Sequence, residues 1–121
     1  MTAASAAPQF LTTTETQLAD FDVIERLGIV RGITVRSRSV FGTVGAKFQQ
    51  VFGGEISLLT DLCEQTRAEA FSLAIEHARA LGANALVAVR YDATEIMSGV
   101  AEVLCYGTAC RVVPRRRSPS L

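Results

Sequence analysis

Apolar residues recur at every second position along one long stretch near the start of the chain. From Phe21 to Val35 the odd positions are apolar except for Glu25 and Arg31, and a period of two is the pattern of a β-strand. Gly28 and Gly32 fall on the opposite face of this strand. Because a missing side chain in a strand leaves room for a neighbouring element, we interpret both as packing glycines.

Two helices are predicted after this strand, because the spacing of apolar residues changes to three and four. Ser39 can cap the first helix, which ends at Gly53 and Gly54. Its apolar residues are Phe41, Val44, Phe48, Val51 and Phe52. The second helix runs from Leu58 to Leu81, with Gly82 at its C-terminal cap. Projected around a helix axis, its core face consists of Leu59, Leu62, Cys63, Thr66, Ala70, Leu73, Ala74, His77 and Leu81.

Three further strands complete the predicted fold. The β-branched stretch Phe10–Glu15 predicts a short first strand. Ala85–Ile96 and Val100–Val113 predict a final hairpin, with Met97–Gly99 as its turn. The order of elements is β-β-α-α-β-β, an α+β fold in which an antiparallel sheet packs on two helices.

Both faces of the last predicted strand are apolar. One face carries Val100, Leu104, Tyr106, Cys110 and Val112, and the other carries Ala101, Val103, Cys105, Ala109 and Val113. A strand with one face in solvent should instead alternate between apolar and polar residues. Two helices can cover one face of the sheet, so we expect copies of the same chain to cover the other and the protein to oligomerise through its sheet.

The charges are balanced over the whole chain but not along it. There are 12 acidic and 12 basic residues among 121, so no overall field draws the protein to nucleic acid or to a membrane. Residues 1–109 hold all 12 acids and 8 of the bases, a net charge of −4, and the remaining arginines make the end basic. We therefore divide the chain into a disordered lead over residues 1–9, one domain over residues 10–114 and a basic flexible tail over residues 115–121.

Neither a secretory signal nor a membrane span is predicted. The first residues lack both a basic region and a sustained apolar region, and no apolar run long enough to span a bilayer follows. An odd number of cysteines, 3, without a signal argues for reduced thiols rather than a disulfide framework. We expect a soluble, cytoplasmic protein.

Cys105 and Cys110 are the first candidates for a metal or redox site. Their separation is odd, so in a regular strand the two side chains point to opposite faces, about 16 Å apart along the chain. Cys63 and His77 share a helix face but are about 21 Å apart at 1.5 Å per residue. Because no two of these residues can reach one ion within one chain, we interpret the cysteines as packing residues and His77 as a helix histidine with a polar partner.

Catalytic signatures are absent from the sequence. There is one histidine, and there is no G-x-S-x-G, P-loop, G-x-G-x-x-G or HExxH motif. Asp92 with Glu95 or Glu102 could form an acid–base pair, but charged residues beside a hairpin are more often solvated. We therefore expect a protein that is not an enzyme and that needs no cofactor.

Several short motifs, in this order, resemble those of the YbjQ-like family of small bacterial proteins, which is labelled heavy-metal-binding. The motifs are TTT at 12–14, GIVRG at 28–32, the Gly53-Gly54 pair, ARALGANALV at 78–87 and GTA at 107–109. The resemblance covers roughly residues 10–114. It implies a dodecin-like α+β subunit that forms a homopentamer with a shared β-barrel-like core, and it implies no catalytic residue.

A metal site could still form between symmetric subunits. Two functional hypotheses remain. In a ring, copies of Cys105 or of Cys110 from different subunits could converge on one soft metal ion. The first hypothesis is a homo-oligomeric binding or structural module with a pocket or axial channel for a small ligand or metal ion. The second is a multivalent interaction protein that presents its basic tails to a protein partner.

Overall fold

The computed structural model describes residues 9–37 and 54–116 of the chain. Four strands and one helix follow one another as β1 (Leu11–Thr12), β2 (Phe21–Ser37), α1 (Gly54–Ala80), β3 (Ala85–Met97) and β4 (Val100–Pro114). The α+β class is confirmed, and the strands occur in the predicted order. The first predicted helix, from Ser39, lies outside the described residues.

The four strands form one mixed sheet in the order β1-β3-β4-β2. β4 pairs in antiparallel fashion with both β2 and β3, whereas β1 runs parallel to β3. The expectation of a wholly antiparallel sheet was therefore wrong for β1. A strand of two residues carries almost no periodic pattern, and its partner at Ala85 and Leu86 is too distant in sequence for a turn to indicate the pairing.

The two glycines of β2 have different roles. Gly32 is a packing glycine as predicted, because a Cβ at this position would lie 2.6 Å from the Ala74 nitrogen and 2.8 Å from the Leu73 Cβ. Gly28 was predicted to pack in the same way, and this was wrong. Its φ is +112°, nothing lies within 4 Å of its Cβ position, and the register with β4 shifts beside it, so it forms a bulge.

α1 packs against the sheet through small residues at every fourth position. Between Thr60 and Ala80, the buried residues are Thr66, Ala70, Ala74 and Ala78. Because most of these side chains are methyl groups, the helix backbone can approach β2 closely at Gly32. The predicted core face was right for Thr66, Ala70 and Ala74, which are buried, and wrong for Cys63, His77 and Leu81, which are exposed.

Gly82 ends α1 as predicted. Its φ is +89°, a left-handed conformation that glycine adopts without strain. The Gly82 amide donates to the Arg79 carbonyl oxygen at 2.9 Å, and the Ala83 amide donates to the Ala78 carbonyl oxygen at 3.1 Å. These two bonds form a Schellman motif, which turns the chain directly into β3.

The sheet has a separate apolar cluster on each face. The cluster beneath α1 contains Val30, Ala70, Ala74, Ala78, Ala83, Leu86, Val89, Cys105 and Ala109. The cluster on the other face contains Ala85, Val87, Cys110 and Val112, against which Leu11, Leu18 and Phe21 pack. We expected only neighbouring copies to cover this second face. The chain's own segment from Leu11 to Phe21 already covers one end of it.

Candidate functional site

Cys105 lies on the face of β4 that carries α1, inside the larger apolar cluster. It is opposite Gly32 of β2 and Tyr91 of β3, and it is fully buried. Burial raises the pKa of the Cys105 thiol, and a hydrogen bond with Tyr91 opposes this shift more weakly. The environment therefore favours the neutral thiol over the thiolate that binds soft metals.

Cys110 lies on the opposite face, as the odd spacing predicts. It is opposite Ala85 of β3 and is fully buried beneath Leu18 and Phe21 of the N-terminal segment. Burial also raises the pKa of the Cys110 thiol. The sheet separates the two sulfur atoms, so Cys105 and Cys110 cannot share a ligand within one chain.

The two remaining candidates of α1 are also apart. Cys63 was interpreted as a small core residue, which was wrong, because it is exposed on the first half of the helix. His77 meets a polar partner as predicted: its Nδ1 lies 2.6 Å from the Arg31 carbonyl oxygen of β2. Since a carbonyl oxygen can only accept, Nδ1 donates this hydrogen bond. His77 therefore ties the helix to β2.

These residues do not fit a soft-metal site within one subunit. Such a site needs two to four deprotonated donors that converge on one point. Within residues 9–37 and 54–116, no three histidine, cysteine or acidic residues form such a group. A metal site shared between symmetric subunits would need a thiol at the subunit surface. Cys105 and Cys110 are instead each buried within their own chain.

The acidic residues near the hairpin lie on both faces of the sheet. Asp92 and Glu102 share the face opposite α1, because they are opposite Leu104 and Thr94 respectively. Glu95 lies on the other face, where its carboxylate accepts a long hydrogen bond of 3.4 Å from the Gly99 amide. The structure therefore does not bring Asp92 and Glu95 together as an acid–base pair.

Much of the sheet face opposite α1 carries apolar side chains in contact with solvent. We call this the uncovered face and define it by Ile29, Arg31, Ile33 and Val35 of β2, Leu104 and Tyr106 of β4, and Asp92 of β3. Ile29 is 77% exposed, and Ile33 and Val35 are 43% and 48% exposed. An exposed row of β-branched residues on a long strand is typical of an interaction surface.

A groove of about 480 Å³ continues from this face around the outer side of β2. Ile29, Ile33, Leu73 and Leu81 line it, and His77 supplies a polar group. The groove lies between the strand and the second half of α1. The periodic pattern of β2 identified Ile29 and Ile33 as apolar, but the sequence did not show that they would border a groove beside α1.

The first residue of the predicted basic tail is attached to the domain. The Arg115 Nε atom lies 3.0 Å from an Asp22 carboxylate oxygen, and its guanidinium also contacts the Leu18 and Phe21 carbonyl oxygens. The Arg115 amide donates to the Asp20 carbonyl oxygen at 2.8 Å. Arg115 therefore fastens the N-terminal segment to the end of β4.

No helix within the described part of the chain is both long enough and apolar enough to cross a membrane.

The solved structure of a protein of unknown function from Pediococcus pentosaceus, assigned to the DUF74 family, has a similar fold. The TM-score is 0.55 at 16% identity, over 86% of this chain and 98% of the other. At this level of identity, the likeness shows the fold alone.

Sequence comparison gives a more specific result. Two relatives, both called UPF0145 proteins, come from Solibacter usitatus and Burkholderia thailandensis. They are 57% and 56% identical, over 88% and 89% of this chain and 96% of their own lengths. Residues 10–113 match the YbjQ family, which is described as "Putative heavy-metal-binding". This chain therefore belongs to the YbjQ family, as the motifs between Thr12 and Ala109 predict.

Proposed function

We propose that the protein is a homo-oligomeric binding or structural module, a ring whose subunits cover one another's uncovered faces. The observation that carries the proposal is the exposure of Ile29, Ile33 and Val35 on one long strand. A subunit that kept these residues in water would forgo the stabilisation of burying them, at about 25 cal/mol per Å². A ring of five is the stoichiometry that the family resemblance implies.

The uncovered face also explains why the last strand is apolar on both sides. Val103 packs against the cluster beneath α1, while the next residue, Leu104, lies on the uncovered face opposite Ile33. The helix covers the first residue, whereas within residues 9–37 and 54–116 no element covers the second once the N-terminal segment has ended its path near Phe21. Because most soluble oligomers are symmetric assemblies of one chain, a second copy is the simplest cover.

The ligand of such a ring would be bound at contacts between subunits rather than at the cysteines. Both buried thiols lie inside their own subunit, whereas the groove beside His77 opens at the surface of β2. We propose a small ligand at this groove or along the axis, and we include a metal ion only if it is held by residues other than Cys105 and Cys110.

Native mass spectrometry before and after treatment with a chelator tests the stoichiometry and any bound mass together. At low micromolar concentration the wild-type protein should appear as one oligomer, with five subunits the expected number. A stable, soluble wild-type monomer at this concentration would refute the proposal.

Two adjacent substitutions give matched variants for the same question. Leu104→Asp places a charge on the uncovered face, and we expect a folded smaller species or one that aggregates. Val103→Asp places the same charge against the apolar cluster beneath α1, and we expect the subunit to unfold because the cluster loses an apolar contact and desolvates the carboxylate. If Leu104→Asp left the oligomer intact, the uncovered face would not be the contact surface.

A further inference from the structure

The groove beside His77 is lined by apolar residues from two different elements. Ile29 and Ile33 belong to β2, and Leu73 and Leu81 belong to α1. Ile29 and Leu81 are both at least half exposed, so they offer apolar surface to a ligand. The volume of about 480 Å³ falls within the range of roughly 300–1,000 Å³ that is usual for small-molecule sites. The groove therefore fits a small molecule rather than a folded partner.

The charged and polar residues of the groove are basic. Arg31 and His77 line it together with the apolar residues, and none of its described lining residues is acidic. Arg31 is exposed, and it forms no ion pair within residues 9–37 and 54–116. The groove therefore complements an anion rather than a cation.

The imidazole of His77 is held in place by its contact with β2. Nδ1 donates to the Arg31 carbonyl oxygen at 2.6 Å, so Nε2 is the ring nitrogen that remains for a ligand. Among the described residues, Nε2 has no hydrogen-bond partner. A protonated imidazole donates from both nitrogens, so Nε2 can bind an anionic oxygen while Nδ1 keeps its bond to the strand.

We infer that this groove binds a small apolar carboxylate of the fatty-acid class. Its carboxylate lies at Arg31 and His77, and its chain packs against the isoleucines of β2 and the leucines of α1. A guanidinium presents parallel donors that match the two oxygens of a carboxylate. A monoanion also balances the one permanent positive charge of the groove, which a phosphate dianion would exceed. The inference rests on the proposed binding function and names the ligand class at the groove.

The site is complete within one subunit. Ile29, Arg31 and Ile33 belong to the uncovered face, whereas Leu73, His77 and Leu81 of α1 lie outside it. A neighbouring copy that covers the uncovered face therefore leaves the helix side of the groove open. Binding of the carboxylate and assembly of the ring can consequently be measured separately.

Two probes of equal chain length and opposite charge test the ligand class. By isothermal titration calorimetry, we expect one decanoate per subunit, bound roughly tenfold or more tighter than decyltrimethylammonium, because only decanoate forms charge-assisted hydrogen bonds in the groove. Methyl NMR then locates the ligand. The methyl groups of Ile29, Ile33, Leu73 and Leu81 should shift on addition of decanoate, and those of Ile96, exposed at the end of β3, should not.

Substitutions at exposed positions test the residues of the site. Arg31→Gln removes the charge and should weaken decanoate binding roughly tenfold. Leu81→Glu adds a carboxylate beside the groove and should weaken it by a similar factor. Arg26→Gln is the matched control, since Arg26 is exposed on the same strand but does not line the groove, and it should bind as the wild type does. Circular dichroism confirms that each variant is folded.

The outcomes separate this site from the proposed ring. Equal affinity for the two probes, or unchanged affinity in Arg31→Gln and Leu81→Glu, would overturn the carboxylate site even if the wild type is an oligomer. Shifts confined to Val35 and Leu104 would place decanoate on the uncovered face and refute the inference. Binding by Leu104→Asp but not by the wild type would refute it too, because a neighbouring copy would then fill the groove. A monomeric wild type that binds decanoate in the groove would refute the ring and support the site.

Discussion

The backbone of Ala70 lies directly over Gly32, so that a Cβ added at position 32 would meet the Ala70 carbonyl oxygen. The Ala74 nitrogen would be 2.6 Å from the same Cβ, closer than such atoms approach in folded proteins. This contact sets the distance between α1 and the sheet.

We expect Gly32→Ala to lower the free energy of unfolding by about 3 kcal/mol, because the helix must move away from β2 to make room. Gly28→Ala is the matched control: its Cβ would meet nothing within 4 Å, so it should cost only about 1–2 kcal/mol through its positive φ. Chemical denaturation at equal protein concentration measures both. A smaller loss for Gly32→Ala than for Gly28→Ala would contradict the close approach.

The three thiols should react at different rates. Cys63 is exposed, whereas Cys105 and Cys110 are fully buried and burial raises the pKa of both thiols. A thiol-specific reagent should therefore modify one cysteine per folded chain quickly and the other two only after denaturation. In Cys63→Ser the fast phase should disappear. Rapid modification of Cys105 or Cys110 in the folded protein, located by peptide mass spectrometry, would show that the clusters open readily.

Stability should decrease at alkaline pH. The raised pKa of Cys105 and of Cys110 means that the folded state keeps its protons to a higher pH than the unfolded state. The resulting stabilisation is complete below the ordinary cysteine pKa of about 8.5 and is lost as the pH rises through the raised pKa. The loss should be about 1.4 kcal/mol for each unit of pKa difference. Replacing Cys110 with Ala should flatten the decrease of stability at alkaline pH.

Purified protein should contain well under one tightly bound soft metal ion per chain after dialysis. The reason is geometric, since the sheet separates Cys105 from Cys110 and each is buried in its own cluster. Elemental analysis is the measurement. One metal ion per chain that disappears in Cys105→Ala or Cys110→Ala would support the heavy-metal label of the family and overturn our interpretation.

Removing residues 116–121 should leave folding and assembly unchanged. This truncation keeps Arg115, whose contacts with Asp22 and the Leu18 carbonyl oxygen fasten the N-terminal segment. Replacing Arg115 with Ala should cost about 1 kcal/mol, as expected for a partly exposed ion pair. If partners captured by the full chain are lost with the truncation while the oligomer persists, the hypothesis of a multivalent protein with basic tails is favoured over a ring that needs no tail.

The periodic patterns predicted the elements well and their faces less well. The alternation in β2 and the glycine at position 82 located a strand and a helix end, because both are local properties of the chain. The placement of Ile33 away from the helix is not local, since it depends on Gly32 being the residue that α1 contacts. Ala88, with a φ of 55°, is part of a bulge opposite Gly107 that no residue type indicates.

For the candidate site residues too, the sequence predicted local placement but not contacts between distant positions. The odd spacing of Cys105 and Cys110 was enough to place them on opposite faces, because β4 has no bulge between them. The contact of His77 with Arg31 joins positions 46 residues apart, and the sequence offered only a polar partner of unknown identity.

The pairing of β2 with β4 along its whole length has a consequence for synthesis of the chain. Phe21 is opposite Pro114, so the strand made early has its partner in the strand made last. On the ribosome, α1 and β3 must therefore emerge before β2 has a neighbour, and the sheet can form only after β4 has left the exit tunnel. During that interval β2 lacks its β4 partner, and its apolar residues can contact other nascent chains.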